Sequence, residues 1–365
     1  MSNTKRIVCV LLVVLCCFSG CKKNKTDGLA CEMYVANNNT SGYLMYVFQN
    51  GSLIEKGDCS PALDGCTPRY IRTRAAQHDG IDNHAAYLLY GQLDDYWVDE
   101  TKEFYLYSSG DVTTVLYYNN NAKKEIEVPN DGFEYRHLRY KDDTLYLVSS
   151  VQEKNNLMNF NVVKIDPEKN QSTTLHFSAP AWKSSMPMGP ANTLRILTAD
   201  NNLLDAYGVD DEKGEYKTVA FMMRPDGTYK EIPFEKPYGL VAFFYNTAEG
   251  FAMLEHSMDG SERKKEDFYM RVRYFDKDAN ELRSKEIDCT ELQAKTKGLL
   301  NVEHAVAYHD GVLYIGVSAD GRLYLCRYNE ETEQLTIDQS VRGSWGFELE
   351  LVEYRGGIAC SLPDR

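Results

Sequence analysis

Two kinds of β-hairpin alternate along this chain, and that alternation limits the possible folds more than any other property of the sequence. In the first kind, a tyrosine or other apolar residue is followed by a polar turn and an apolar strand. Tyr140-Lys141-Asp142-Asp143-Thr144-Leu145-Tyr146-Leu147 is one copy, and Tyr308-His309-Asp310-Gly311-Val312-Leu313-Tyr314-Ile315 nearly repeats it. Looser copies lie at Tyr245 to Phe251, at Leu197 to Leu204 and at Tyr354 to Ile358, with a distorted one between Tyr87 and Tyr107. In the second kind, an apolar strand ends in an Asp- or Asn-rich turn and a more polar strand follows. Val162 to Leu175 is the clearest copy, with similar turns after Phe48, Tyr118, Met223, Phe275 and Tyr328. These turns recur at roughly 50 to 60 residues, with one longer early gap.

A repeat of that length, made of two hairpins, reads as a four-stranded antiparallel meander. Stacking such sheets radially gives a β-propeller. Strand burial points the same way. Ala85 to Leu89, Leu240 to Phe244 and Ala305 to Tyr308 are apolar on both faces, whereas a sheet with one wet face would alternate. Lys123 to Val128 does alternate, as an outer strand should. Phe347 to Leu362 supplies a hairpin of the first kind only and Tyr43 to Glu55 one of the second kind only. Together they predict one composite blade that closes the ring by pairing N- and C-terminal strands. The expected fold is therefore all-β, a propeller of six four-stranded antiparallel blades; the irregular stretch from Cys59 to Tyr107 leaves room for a seventh. Val163-Lys164-Ile165-Asp166-Pro167-Glu168 resembles the generic turn of quinoprotein-type and related bacterial propellers, although the Gly-Trp signatures of those repeats are missing. Helical periodicity is almost absent. The exception is Thr290-Glu291-Leu292-Gln293, which predicts a short helix between sheets, with Thr290 as N-cap and Gly298 as terminator.

The first residues carry a different signal. Lys5 and Arg6 precede an apolar run from Ile7 to Phe18, and Ser19-Gly20-Cys21 follows. The run falls short of the roughly 20 apolar residues that span a bilayer as a helix. It has the layout of an export leader. The segment resembles a bacterial lipoprotein signal, with Phe18 standing where that family prefers Leu. The resemblance implies cleavage after residue 20 and lipid attachment to Cys21. Residues 1–20 are then the signal peptide, 21–30 a polar tether and 31–365 a single propeller domain.

Charge narrows the partners. The chain carries 40 basic and 54 acidic residues for a formal charge of -14, which becomes -16 when Lys5 and Arg6 leave with the leader. Such a body repels phosphate backbones, so nucleic acid is not expected as a partner. The six cysteines left for the mature body are Cys31, Cys59, Cys66, Cys289, Cys326 and Cys360. Cys59 and Cys66 flank a short turn that a disulfide could close, and an exported protein permits it. Cys326 and Cys360 sit in apolar strand runs and read as buried thiols.

Motifs that would announce chemistry are weak. His78-Asp79-Gly80-Ile81-Asp82-Asn83-His84 offers four potential metal ligands, but Gly80 and Asn83 mark a turn and no distant ligand is identifiable. Asp276-Lys277-Asp278-Ala279-Asn280 begins like a calcium loop, then puts Glu281 where Gly is needed and Ile287 where the bidentate Glu belongs, so it reads as a hairpin turn. Ser318-Ala319-Asp320-Gly321 misplaces the glycine of a sialidase Asp box, and Gly343-Ser344-Trp345-Gly346 is too short for a nucleophile elbow. Trp97, Trp182 and Trp345 are candidates either for a binding rim or for filling gaps between blades. No cofactor or metal site is assigned. The expectation is a lipid-anchored protein of the bacterial cell envelope, with the outer membrane favoured, facing the periplasm or the exterior. It would act as a non-catalytic binding or scaffold module for a protein or glycan. The alternative is a propeller hydrolase acting on polysaccharide with a carboxylate pair.

Overall fold

The computed structural model describes residues 29–37, 42–49, 52–58, 92–98, 102–109, 111–119, 122–133, 135, 137–141, 143–152, 157–180, 196–210, 216–234, 239–257, 264–309, 311–342, 347–353 and 359–360. The described chain is all-β, arranged as small antiparallel sheets. The first sheet begins with β1 (Leu29–Asn37), β2 (Gly42–Gln49) and β3 (Ser52–Asp58). The second holds β4 (Gln92–Val98), β5 (Lys102–Ser109), β6 (Val112–Asn119) and β7 (Ala122–Pro129). The third holds β8 (His137–Lys141), β9 (Thr144–Gln152), β10 (Leu157–Asp166) and β11 (Gln171–Pro180). The fourth holds β12 (Ile196–Leu197), β13 (Leu203–Asp210), β14 (Tyr216–Met223) and β15 (Tyr229–Ile232). The fifth holds β16 (Gly239–Asn246), β17 (Gly250–Ser257), β18 (Met270–Asp276) and β19 (Glu281–Ile287). The sixth holds β20 (Asn301–His309), β21 (Val312–Ala319), β22 (Arg322–Asn329) and β23 (Gln334–Arg342). The last strands, β24 (Phe347–Glu353) and β25 (Ala359–Cys360), return to the first sheet, whose order is β25-β24-β1-β2-β3.

Each hairpin read from the sequence has its two strands here. The first sheet differs from the expected composite. It has five strands, because β1 lies between the terminal hairpin and β2–β3, pairing Val35 with Phe347 and Leu29 with Glu353. That strand opens at Leu29, inside the stretch read as a tether. Its apolar residues Leu29, Ala30, Met33, Tyr34 and Val35 suit a strand better than a linker. Residues 59–91, where a seventh repeat was considered, lie outside the described residues.

The hairpin turns follow backbone chemistry. Asp143, Asn170, Asn201 and Asp320 take positive φ of 54 to 59°, and Gly227, Gly311 and Gly321 take 67 to 86°. Asp, Asn and Gly bear the left-handed conformation at least cost, which is why they punctuate the strands. Asp276 Oδ1 accepts hydrogen bonds from the Asp278 and Asn280 amides at 2.9 and 2.8 Å, so this segment is the hairpin turn the sequence implied.

Among the described residues, apolar layers fill the spaces between successive sheets from the second to the sixth. Phe104, Leu106, Val115 and Tyr117 of the second sheet pack on Leu138, Leu145, Leu147 and Ile165 of the third. Phe160, Val162 and Phe177 of the third pack on Leu203, Phe221 and Met223 of the fourth. Leu204, Met222 and Ile232 meet Phe244, Phe251 and Phe275 of the fifth, and Leu254, Met270 and Val272 meet Leu313, Ile315 and Cys326 of the sixth. Both faces of β6 and β17 are therefore buried, as their unalternating sequences require. In β7, by contrast, Ile126 and Val128 point inward while Glu125 and Glu127 are exposed. Each fully buried Leu, Phe or Met contributes about 1.5–3 kcal/mol of transfer free energy. Sheet contacts run in chain order, through β4 with β8, β11 with β14, β14 with β16 and β16 with β20; β20 touches β24 and β25 touches β4.

A short helix, α1 (Thr290–Lys295), joins the fifth and sixth sheets. Its cap differs from the expected one. Cys289, not Thr290, occupies the N-cap position, and the first-turn amide of Thr290 is held by Asp288 Oδ1 at 2.9 Å. The helix ends at Thr296, before Gly298, where the backbone turns extended and the Thr296 hydroxyl bonds back to the Leu292 carbonyl at 3.1 Å. Among the described residues no helix is long and apolar enough to cross a membrane.

Candidate functional site

Lysines on the outer strands bracket one sheet to the next. Lys124 on β7 donates to the Pro167 carbonyl at 2.6 Å, Lys230 on β15 to the Asp278 carbonyl at 3.0 Å and Lys285 on β19 to the Glu330 carbonyl at 3.4 Å. Each acceptor lies in the turn between the third and fourth strands of the following sheet. Tyrosines reinforce two of these junctions. The Tyr117 hydroxyl donates to Glu168, and both Tyr245 (2.5 Å) and Tyr274 donate to Glu330 Oε1.

At the junction from the third sheet to the fourth the outer strand β11 (Gln-Ser-Thr-Thr-Leu-His-Phe-Ser-Ala-Pro) contains no lysine, and the link comes instead from Lys164 on β10, which donates to Asn201 Oδ1 in the β12–β13 turn at 2.7 Å. An open cleft of about 430 Å³ lies along β11. Facing pairs of β10 and β11, Asn159 with Ser178, Phe160 with Phe177 and Asn161 with His176, supply its wall, Phe133 adds an apolar corner and the turn Pro225-Asp226-Gly227 of the fourth sheet stands opposite.

Local structure fixes each of these groups. Phe133 is set by the turn at Asn130, where the Phe133 amide bonds the Asn130 carbonyl at 2.6 Å and Thr113 Oγ1 bonds Asn130 Oδ1 at 2.6 Å. Asn161 Oδ1 sits 2.6 Å from His176 Nδ1, and the buried Tyr135 hydroxyl also bonds the Asn161 side chain, with burial pushing that hydroxyl's pKa up. In the opposite turn, Asp226 Oδ1 accepts from the Thr228 amide (2.8 Å) and hydroxyl (2.7 Å). Those bonds hold its carboxyl below the usual range, so it is anionic at neutral pH. The half-buried Phe133 ring is thus the apolar corner of a lining that is otherwise amide, imidazole and hydroxyl, with the Phe160 and Phe177 rings buried against the fourth sheet. For hydrolysis the cleft lacks a pair, as Asp226 is the lone carboxylate on its described lining.

A second polar cluster lies in the fifth sheet. Glu255, fully buried, accepts from Arg271 at 3.0 Å, Arg273 at 3.2 Å and the Tyr269 hydroxyl at 2.9 Å; Arg273 also holds Glu281 at 2.5 Å and the Pro233 carbonyl at 2.8 Å. Two guanidinium groups balance two carboxylates, so the cluster pins β17, β18 and β19 together. A Cβ at Gly239 would come within 3.1 Å of both Glu255 Oε1 and the Tyr269 hydroxyl, which leaves little space for a ligand.

Of the residues marked in the sequence, Cys21, Cys59, Cys66, His78 to His84, Trp182 and Gly343 to Gly346, Trp345 included, lie outside the described residues. Among the described residues no group of three His, Cys, Asp or Glu side chains could hold a metal. Ser318 to Gly321 spans the turn between β21 and β22, and Trp97 lies on β4. Cys326 is a buried free thiol, as is Cys289. The cleft was not foreseen from the sequence. The usable signal was β11 itself, an outer strand without a charged residue.

No protein-family model matches the chain, and no curated protein is similar to it. Among solved structures, it is similar to TolB from Acinetobacter baumannii at 9% identity and a TM-score of 0.41, covering 86% of this chain and 63% of that one. Cobalt-substituted Synechocystis apocarotenoid oxygenase gives 9% identity and a TM-score of 0.41, covering 90% and 84%. Prolyl oligopeptidase B from Galerina marginata gives 11% and 0.40, covering 83% and 39%. The chain thus spans less than two thirds of the TolB chain, and likeness at this level carries no argument about activity.

Proposed function

We propose that the chain is a non-catalytic binding module of the bacterial cell envelope, which holds a protein or glycan partner in the cleft between the third and fourth sheets. The observation that carries this reading is the cleft itself, where the Phe133 ring, the His176 imidazole and amide and hydroxyl groups meet beside an outer strand that has no charged residue. Its body is a six-bladed propeller closed through β24 and β1. The six sheets, their contacts in chain order and the pairing of β1 with β24 support that architecture. Cys21 carries the lipid that anchors the body, with the outer membrane favoured, as the run from Lys5 to Cys21 supports. The net charge of -14 argues against nucleic acid.

The test joins location to binding. Cys21→Ala moves the protein from the membrane to the soluble fraction, and His176→Ala in the full-length, detergent-solubilised chain weakens capture of envelope peptides or peptidoglycan fragments by about tenfold. Unchanged fractionation removes the anchor. Unchanged capture by the His176 variant removes the cleft.

A further inference from the structure

Outer strands are exposed edges, and a chain must keep them from pairing with whatever extended polypeptide comes near. Here five of the six described outer strands carry charge. β3 has Glu55, Lys56 and Asp58; β7 has Lys123, Lys124, Glu125 and Glu127; β15 has Lys230 and Glu231; β19 has Glu281, Arg283, Lys285 and Glu286; β23 has Asp338 and Arg342. β11 alone has none, although at ten residues it is the longest of the six. It pairs with β10 along its whole length, from Leu157 with Pro180 to Asp166 with Gln171, and among the described residues no strand pairs with its other side. Gln171 to Thr174 are all exposed. The far half of the same strand, His176 to Ser178, is the wall of the cleft.

We propose that β11 receives an extended polypeptide segment of a partner protein as an added strand, with one aromatic or long aliphatic side chain seated in the cleft and a Lys or Arg facing Asp226. The proposal rests on the cleft reading above and narrows it from protein or glycan to peptide. Main-chain hydrogen bonds along the edge supply affinity in this mode, and pockets for alternate side chains supply selectivity. The occupant's charge follows from the cleft end of the strand, where Asp226 is exposed and anionic, and from the charge of -14 on the chain as a whole. A second copy of the chain fits poorly. Self-pairing of β11 would bring together two bodies that each carry a formal charge of -14, although the turn laid beside Asp226 pairs its own Asp166 with Lys169.

A positional-scanning library of capped decapeptides, titrated against the full-length chain in detergent, tests this. Binders are expected to combine an aromatic residue with a Lys or Arg, and Asp226→Asn should weaken the cationic ones about threefold or more. In the best binder, methylating every second amide nitrogen in one register should cost at least about tenfold, and in the register shifted by one residue less than about twofold, because only alternate amides of an added strand face its neighbour. Thr174→Lys, at an exposed edge position, should cost at least about tenfold. Equal effects of the two methylation registers overturn strand addition. So does self-association that Thr174→Lys abolishes, which would make the occupant a second copy. If peptidoglycan fragments bind in a His176-dependent way and no peptide binds at about 1 mM, the cleft reading survives and strand addition falls. If neither class binds, both fall.

Discussion

Glu330 accepts the hydroxyl hydrogens of Tyr245 and Tyr274, two rings that are each only 5% exposed. Removing the acceptor leaves the two hydroxyls only each other as partners, so one buried donor goes unsatisfied, which costs about 1–3 kcal/mol in general. Glu330→Ala is therefore expected to lower the unfolding free energy by about 2 kcal/mol or more in urea titration, with Tyr274→Phe costing less because it deletes the donor as well. Cys289 gives a pH dependence. Burial pushes its thiol from 9.0 up to about 12. Above pH 9 the unfolded chain releases this proton while the folded chain keeps it, so the contribution is complete below pH 9 and declines toward pH 12. Cys326 is raised by burial in the same direction. Cys289→Ala should make the fall of stability with pH in that window shallower by up to about 1.4 kcal/mol per pH unit, and an unchanged slope would mean that its thiol is not shielded.

At the scale of elements, the β10–β11 hairpin shows what makes a turn readable. Asp166 Oδ1 accepts the Glu168 and Lys169 amides at 3.1 and 3.0 Å, and Asn170 then takes φ 54° to return the chain. Asn170→Val, which puts a β-branched residue in that conformation, is expected to cost about 1–2 kcal/mol, whereas Asn170→Gly should be neutral or slightly stabilising; comparison of their urea midpoints decides it. Because turns of this kind are written locally in Asp, Asn and Gly, the hairpins and their alternation were legible before any coordinates. The helix cap was misread for the complementary reason. Asp288, Thr290 and Thr296 all have capping side chains, and only three-dimensional geometry shows that Asp288 and Thr296 bond the ends. The cleft was less legible still. It depends on what β11 lacks and on Asp226, about 50 residues further along, standing opposite, and neither fact has a local signature.

For the whole molecule, the step that matters is how the two ends of the chain meet. A terminal sheet made only from β1, β2 and β3 would present β1 as an open edge; β24 covers it in antiparallel register, with Met33 opposite Leu349 and Cys31 opposite Leu351. The terminal hairpin was legible because Phe347 to Leu362 reads as half a repeat, but β1 was not, since half a repeat at each end already completes one blade on paper. If the ring closes through this pairing, a covalent link across it ties residues more than 300 positions apart in the sequence. Constraining a loop of that size in the unfolded chain is worth about 2–4 kcal/mol in typical cases, less any strain in the folded state. Met33→Cys combined with Leu349→Cys should form a disulfide on mild oxidation, visible by mass spectrometry of a peptic digest, and raise the urea midpoint relative to the reduced form. The native cysteines complicate the readout in a useful way. Leu351 also stands opposite Cys360 on β25, so the single variant Leu351→Cys can join either Cys31 or Cys360. A bridge to Cys360 alone closes a short loop and stabilises little, while a bridge to Cys31 reports that β1 and β24 are neighbours in solution. Failure of both variants to link β1 to β24 would leave the first sheet open and the ring with it.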